Sequence, residues 1–464
     1  MQILLEDGGQ MVTVLAEQEL EIPAEPSQGD LLGHVSKHVE TRLGSDETAI
    51  RCVITASRDH VYRCEVAKLI GSSRQPRAPL FQFTPRRIDS TESFNAVLVV
   101  PTGIGADIGG HAGDATPVAT LLASACDTLI THPNVVNASD IIQVAPNILY
   151  VEGSILSRLL MGTIGLQRVR NNRLLVVIGA HSDSLFTNAA INAVNAARST
   201  YGLICPAIVE LNAPLEMRSE YAGSGRASGR VLGMDALFEI LDEYRLEYDA
   251  VAISSVITVP PSYHQDYFDS AGDMVNPWGG VEAMLTHALS TLYDVPSAHS
   301  PMMESQDIAN VDPGIVDPRM AAEAVSLTFL QCILRGLQKS PRIVTDVEAM
   351  RHHGVLTASD ISCLVIPDRC IGLPTLAALE QGIPVIAIRE NKNLMDNDLE
   401  ALPWSQGQLH IVENYWEATG VMTALRAGID PLAVRRPIHP VSVRRKSTST
   451  TLTVEQLIAK SLPF

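Results

Sequence analysis

Several familiar signatures are absent from this chain of 464 residues. No uncharged apolar run approaches the roughly eighteen residues that a membrane-spanning helix requires. The first ten residues, MQILLEDGGQ, have neither the basic region nor the long apolar core of a secretory signal. The seven cysteines are scattered and form no C-x-x-C pair, which predicts reduced thiols rather than disulfides or structural zinc. Together these absences predict a cytoplasmic protein with no membrane partner.

Basic residues are also few. The chain has 34 lysines and arginines but 52 acidic residues, so the formal net charge is −18. An acidic surface of this size disfavours nonspecific binding to nucleic acid, so no nucleic-acid partner is expected. The composition, 46% hydrophobic and 19% charged, is that of a globular protein with room for two or three domains. The sequence leaves open whether the chain forms a homo-oligomer.

Short apolar runs alternate with longer helical segments, which predicts an α/β fold with a mostly parallel, doubly wound sheet. The candidate strands are Ala96–Val100, Thr128–Thr131, Leu174–Ile178, Ala207–Leu211, Ala250–Ser254 and Ser297–Ser300. The candidate helices are Pro117–Cys126, Asp140–Met161, Phe186–Thr200, Met234–Arg245, Val281–Tyr293 and Pro318–Leu337.

Changes in composition divide the chain into four segments. Residues 1–90 predict a small N-terminal α+β unit that ends in a linker rich in proline, serine and arginine. The main α/β domain is expected over residues 91–340, followed by a Rossmann-like unit over residues 341–432. Residues 433–464 predict a basic linker with a short terminal helix near Val454–Leu462.

The most informative stretch is the glycine turn GIGADIGGHAGDA, which follows the first strand of the main domain. Its spacing differs from the dinucleotide fingerprint, and no Walker A motif is present. Such a turn lets backbone N–H groups approach an anion before a helix N-terminus. The turn therefore predicts a site for a small phosphorylated or carboxylated ligand, and a purely structural turn is the alternative. The candidate ligand-binding residues are Gly103, Gly105, Gly109, Gly110 and Asp114.

Histidines recur where predicted strands end. His111 lies in the glycine turn, His132 ends the next strand with Asn134 just beyond it, and His181 follows a third strand. Ligands of open α/β sheets bind at the carboxyl ends of strands. We therefore expect these side chains to share a site for acid–base catalysis or for a divalent metal. The alternative is that each histidine caps its own turn.

A second wall of the site is expected from residues 276–304. Asn276 and Trp278 precede a helix that begins near Glu282, and they are candidate ligand-binding residues. The turn PSAHSP carries His299, with Glu304 close behind it. His111, His132 and His299 are the candidate acid–base residues, while Glu282 and Glu304 are expected to orient a histidine or to bind the metal. The metal candidates are His132, His299 and Glu304.

Glu323 is the last catalytic candidate. It shares a helical stripe with Leu327, Leu330 and Leu334, and a carboxylate on a buried face needs a partner. Either Arg319 pairs with Glu323 in a structural salt bridge, or Glu323 serves the site as an acid, a base or a metal ligand.

The segment Ile366–Asn391 predicts a strand, a glycine turn, a helix and a second strand, Val385–Ile388, after which comes Arg389. This order is similar to the donor-binding unit of two-domain glycosyltransferases and sugar epimerases, and the likeness implies that Arg389 binds a ligand.

A second resemblance covers more of the chain. The motifs GIGADIGGHAGDA, HPNVVNAS, NPWGGVEA, PSAHSP and GLPTLAALEQGIPVI resemble a bacterial domain-of-unknown-function family over most of residues 90–400. That resemblance implies a fold but no activity. A fainter likeness links His299–Leu337 to the isopropylmalate and isocitrate dehydrogenase fold.

These observations predict an enzyme that acts on a small anionic metabolite in an interdomain cleft, with histidine acid–base chemistry of transferase or hydrolase type. The only cofactor expected is a divalent metal. Two alternatives stay open at this point. One is a noncatalytic protein that binds or senses a metabolite, and the other is a nucleotide-sugar-dependent transferase or epimerase.

Overall fold

A computed structural model describes residues 12–24, 30–438, 440–441 and 443, and in these ranges it contains nineteen β-strands and thirteen α-helices. The strands are β1 Val14–Pro23, β2 Glu47–Arg58, β3 Val61–Ile70, β4 Asn95–Leu98, β5 Thr128–Thr131, β6 Ile148–Tyr150, β7 Gly165–Gln167, β8 Arg173–Ile178, β9 Ile204–Glu210, β10 Glu216–Tyr221, β11 Ala227–Leu232, β12 Ala250–Thr258, β13 Ser297–Met302, β14 Arg342–Val344, β15 Val355–Leu356, β16 Ile361–Pro367, β17 Ile371–Gly372, β18 Val385–Ile388 and β19 Leu409–Val412. The helices are α1 Leu31–Glu40, α2 Thr116–Ala123, α3 Pro133–Val136, α4 Gly153–Leu160, α5 Ser184–Tyr201, α6 Met234–Glu243, α7 Tyr263–Asp269, α8 Gly279–Tyr293, α9 Gln306–Ala309, α10 Leu330–Gln338, α11 Val347–Met350, α12 Leu373–Gln381 and α13 Tyr415–Arg426.

One sheet has six strands in the order β19-β18-β16-β4-β5-β6, and every pair in it is parallel. All residues of β4, β5 and β18 are buried. Continuous buried strands are typical of a parallel sheet that is covered on both faces. Because the strands are parallel, the segments that leave β4, β5 and β6 emerge at one edge, and that edge carries the candidate site.

The larger sheet has ten strands and is mixed. Strands β13, β12, β8 and β9 form a parallel part. The rest, in the order β17-β2-β3-β1-β11-β10, is antiparallel and joins the parallel part where β10 pairs with the end of β12. A third sheet has the order β14-β7-β15.

The predicted α/β class is confirmed, but the expectation of a mostly parallel sheet is wrong for the ten-stranded sheet. Its antiparallel part comes from long hairpins, β2–β3 and β10–β11, that pair strands adjacent in sequence. Strand pairing also crosses the predicted segment boundaries. β1 from the first segment pairs with β11 of the second, and β4 pairs with β16 from the third. The division into four segments stays a prediction, and its expected terminal helix lies outside the described residues.

Two predicted helices are wrong. The segment Asp140–Met161 forms β6 and then the short helix α4, because Pro146 lacks the N–H that a helix interior needs. The segment Pro318–Leu337 forms a 3₁₀ helix, Ala321–Val325, and then α10. Phe329 separates the two in a left-handed conformation, with φ of 49°, and its N–H donates to the Ser326 hydroxyl. The first of these errors concealed Glu152, a side chain of the candidate site.

The structure bears on the predicted state of the cysteines and on the predicted lack of a membrane-spanning helix. All seven cysteines are free. Across the described ranges, no helix is both long enough and apolar enough to cross a membrane.

Candidate functional site

A cavity of about 120 Å³ lies between the two large sheets, and we call it the histidine cavity. One side is formed by the segments that follow β4, β5 and β6, and the other by α8, β13 and the loop before α8. Its lining residues are Thr102, Gly103, Gly110, His111, Ala112, His132, Pro133, Asn134, Asn137, Glu152, Gly153, Asn276, Gly279, Glu282, Ala283, Thr286, His287, Ala298 and His299. The fold therefore brings His111, His132 and His299 to a single cavity from three distant parts of the chain.

His132 is held as a neutral ring. Its Nε2 accepts a hydrogen bond from the Val100 N–H at 3.2 Å, so Nδ1 carries the proton. Burial and the charge of His287 lower the pKa of His132 to about 4. At neutral pH this side chain offers a hydrogen-bond donor to the cavity rather than a charge.

The most complete acid–base pair in the cavity was missed by sequence reasoning. His287 Nδ1 lies 2.6 Å from Glu152 Oε1, and Glu152 is almost wholly buried. The other oxygen, Oε2, caps α4 by accepting the backbone N–H groups of Ser154 and Ile155. Burial raises the pKa of Glu152, but the charge of His287 and these hydrogen bonds outweigh that effect and keep it below its ordinary value.

His287 Nδ1 meets Glu152 in a close ion-pair contact that lacks hydrogen-bond geometry. Nε2 forms no hydrogen bond within the described part of the chain, so this pairing leaves Nε2 for a ligand. The ring also packs on Gly153, where an added Cβ would lie 2.8 Å from His287 Cε1. A signal for His287 was present in the sequence. Glu282, Thr286 and His287 fall on one face of a predicted, otherwise apolar helix. Glu152 was concealed by the wrong helix at Asp140–Met161.

A second pair joins Glu282 to His299. His299 Nδ1 lies 2.9 Å from Glu282 Oε1, and Nε2 lies 2.9 Å from the buried Ser255 hydroxyl. A carboxylate only accepts, so Nδ1 donates to Glu282, while Nε2 is in hydrogen-bond contact with the Ser255 hydroxyl. Both ring nitrogens of His299 are therefore occupied within the protein. His299 and Glu282 both line the cavity, but the His299 side chain is fully buried and Glu282 is the more exposed partner. The roles expected for the two groups stay predictions.

The glycine turn binds the protein's own polar groups. Asp114 accepts the N–H groups of Gly109 at 2.9 Å and His111 at 3.4 Å, and the Ile108 N–H donates to Asn391. Burial raises the pKa of Asp114 to about 6. Gly110 is required because a Cβ there would lie 2.1 Å from the Ala106 carbonyl oxygen. These three N–H groups are engaged within the protein. Anion binding by the other N–H groups of the turn stays a prediction.

A chain of hydrogen bonds ties the turn to the opposite wall. His111 Nδ1 lies 2.7 Å from the Tyr267 hydroxyl, which accepts a 3.4 Å hydrogen bond from Asn276 Nδ2. Asn276 Nδ2 also donates to Glu323 Oε1 at 2.9 Å, and so does the Ala112 N–H at 2.7 Å. Burial, followed by the charge of Arg319, lowers the pKa of His111, so its ring is neutral at pH 7. Neutral His111 thus helps to fix the distance between the two walls.

Glu323 and Trp278 line an adjoining cavity of about 130 Å³, the Trp278 cavity, together with Glu304. Burial raises the pKa of Glu323 to about 7, and its Oε2 is buried with no partner in the described ranges. The structural alternative predicted for Glu323 was a salt bridge with Arg319, but Arg319 pairs with Asp317 at 3.0 Å instead. Glu323 therefore presents a carboxyl that can donate or accept a proton near neutral pH.

The Trp278 cavity adjoins the histidine cavity, because both are lined by the same five residues, Ala112, Asn137, Asn276, Glu282 and His299. Glu304 does not join a metal site, since its Oε1 accepts the Val259 N–H at 3.1 Å. Within the part of the chain that the structure describes, no three His, Cys, Asp or Glu side chains are grouped to hold a metal ion. The expected metal candidates His132, His299 and Glu304 are thus not assembled around one point.

Some predicted residues lie elsewhere. Gly105, Gly109 and Asp114 belong to the turn but line none of these cavities. His181 faces Met303, whose carbonyl oxygen lies 3.0 Å from its Nε2. Arg389 is exposed and pairs loosely with Glu400 at 3.4 Å. The residue that matters near Arg389 is Asn391, which is buried and whose Nδ2 donates to Ile108 at 2.8 Å, so it holds the glycine turn in place.

Comparison with known proteins identifies the class to which this chain belongs. It is a member of the family described as "Protein of unknown function (DUF3326)", which matches residues 95–435. The chain is also similar to an uncharacterized lipoprotein of Synechococcus sp. (strain ATCC 27144 / PCC 6301 / SAUG 1402/1). The two are 34% identical over 349 residues, which cover 74% of this chain and 93% of the relative. No solved structure matches significantly. The predicted resemblance to a family without an established activity is confirmed.

Proposed function

We propose that this protein is an enzyme that carries out acid–base chemistry, of hydrolase or transferase type, on a small metabolite bound in the histidine cavity. The observation that carries the proposal is the presence of two histidine–carboxylate pairs, His287–Glu152 and His299–Glu282, in one cavity. A single buried histidine is readily explained by packing. Two such pairs, supplied by separate elements and facing the same space, are the arrangement that proton transfer needs.

The proposed roles follow from which atoms are free. His287 Nε2 takes the proton of an attacking hydroxyl or water, while Glu152 holds the ring and stabilises its protonated form. Glu282, fixed through one oxygen by His299, is the second acid–base group and exchanges a proton with the leaving group. His132 donates from Nδ1 and orients the ligand. No step depends on a group from outside the chain other than the substrate and the acceptor.

The lining also bears on the charge of the ligand. Among the described residues that line the histidine cavity, none is lysine or arginine. An anionic metabolite is therefore bound without fixed cations, mainly through the His132 Nδ1–H, because both amide hydrogens of Asn134 and of Asn276 are already donated within the protein. A phosphorylated or carboxylated ligand bound in this way has modest affinity, and its selectivity comes from hydrogen bonding.

The proposal predicts that a screen of phosphorylated and carboxylated metabolites by thermal shift will find stabilising compounds. At a concentration one hundred times Kd, binding adds about 2.7 kcal/mol to the free energy of unfolding. Each stabilising compound is then incubated with the protein in water, and with alcohol or amine acceptors, and its consumption is followed by NMR. Conversion of at least one compound is expected. Binding without any conversion in the whole set would contradict catalysis and favour a noncatalytic binding protein.

A further inference from the structure

An unassigned space lies beyond the histidine cavity. It is a second cavity of about 120 Å³, which we call the apolar chamber. Most of its wall surface is apolar, and the wall includes the buried aliphatic side chains Ile50, Val99, Ile104, Leu156 and Ile371. An apolar space of this size inside a close-packed protein leaves its lining atoms without contacts unless something fills it.

The apolar chamber adjoins the histidine cavity. The same five residues, Thr102, His132, Gly153, Ala283 and His287, line both spaces. His287 and His132 therefore stand at the junction, with a polar space on one side and an apolar space on the other. A molecule whose reacting atom reaches His287 can extend its remaining part into the chamber.

Charged residues do not make the chamber polar. Three arginines line it, but each is paired within the protein: Arg51 with Glu17 at 2.7 Å, Arg158 with Asp294 at 2.6 Å, and Arg226 with Glu65 at 2.6 Å. Because these guanidinium groups are already compensated, a charged ligand gains little from them. The chamber suits a group without charge.

We propose that the apolar chamber binds the nonpolar end of an amphiphilic substrate whose polar, reacting end occupies the histidine cavity. This inference rests on the proposed function and specifies its substrate class. An engineered apolar cavity of about 150 Å³ binds benzene, so the nonpolar end is an aromatic ring or an alkyl chain of roughly four to six carbons.

Straight-chain carboxylates from acetate to octanoate are the probes, with binding measured by calorimetry. We expect the affinity to rise about fourfold for each added methylene, which corresponds to about 0.8 kcal/mol per methylene. The rise is expected to stop near six carbons, where the chamber is full. Affinity that does not change with chain length would overturn the inference.

A variant with an enlarged chamber tests whether the size of the chamber sets the chain length at which the affinity stops rising. Leu80 lines the chamber and is only half-buried, so Leu80→Ala should fold and should move the plateau to longer chains. Leu292→Ala is the matched control, because Leu292 is also half-buried but lies outside the chamber. A shift of the plateau in both variants, or in neither, would count against the chamber as the binding site.

The chain-length experiment measures binding and not turnover. Its result can therefore contradict the role of the chamber without contradicting the proposed enzyme function, and the reverse. If short polar metabolites are converted but alkyl chains give no gain in affinity, the chamber has no role and the proposed function stands. If affinity rises with chain length but no compound is ever converted, the chamber is a binding site and the proposed enzyme is wrong. Binding to His287→Asn should keep the same dependence on chain length.

Discussion

Replacing His287 by asparagine should lower kcat by about 10²- to 10⁴-fold for any metabolite that the protein converts, the usual contribution of a general acid–base group. The asparagine Nδ2 occupies nearly the position of His287 Nδ1, so it keeps a donor beside Glu152. What the variant loses is Nε2, which forms no hydrogen bond in the described part of the chain, whereas Nδ1 already contacts Glu152. The loss should therefore appear in kcat, with little change in KM or in the temperature of unfolding.

His181→Asn is the matched control for this experiment. His181 also follows a strand end, but its ring faces the Met303 carbonyl and lines none of the three cavities. Its replacement should leave kcat within about twofold, since surface substitutions away from a site change energies by only about 0.5 kcal/mol. Equal losses in both variants would show that activity responds to general perturbation rather than to His287.

The second large effect concerns stability. Arg226→Met should lower the free energy of unfolding by about 3–5 kcal/mol at pH 7, as expected when one partner of a buried ion pair is removed. Arg226 is fully buried and contacts both Glu17 and Glu65, which the variant leaves without their shared cation. Urea unfolding followed by tryptophan fluorescence measures the difference. Arg218→Met removes the exposed pair with Glu216 in the same sheet and should cost less than about 1 kcal/mol.

The effect of Arg226→Met should also depend on pH. Burial raises the pKa of Glu17, but the charges of Arg226 and Arg51 outweigh burial and lower it to about 2. A carboxyl with a lowered pKa stabilises the fold above its unfolded value near 4.5, and this contribution is lost as the pH falls towards 2. The difference between wild type and variant should therefore shrink below pH 4.5. A difference that stays constant down to pH 3 would contradict this account of the ion pair.

The sequence predicted the buried parallel strands best. Thr128–Thr131 and Val385–Ile388 have the same bounds in the structure as predicted, because each is a continuous β-forming run between polar residues. The rule that ligands bind beyond parallel strands also placed His132 at the cavity. The same rule misplaced His181, which follows β8 in the other sheet and faces Met303, whereas His299 on β13 of that same sheet does line the cavity. Periodicity gives the strands but does not reveal which strands share a sheet.

The rest of the site depends on long-range packing. Glu152 and His287 are 135 positions apart in sequence, and they meet only because α8 crosses the carboxyl end of β6. No local pattern contains that contact. The glycine turn also depends on long-range contacts. Its composition is typical of an anion-binding loop, but Asp114, Glu323 and Asn391 accept its N–H groups from within the protein.

The central claim is that a metabolite reacts at the junction between the histidine cavity and the apolar chamber. A crystal structure with the most stabilising metabolite from the thermal-shift screen tests this most directly. The account predicts that the polar end of the compound lies within about 3 Å of His287 Nε2 or of the Glu282 carboxylate. A compound bound anywhere else, with the histidine cavity holding only solvent, would contradict it.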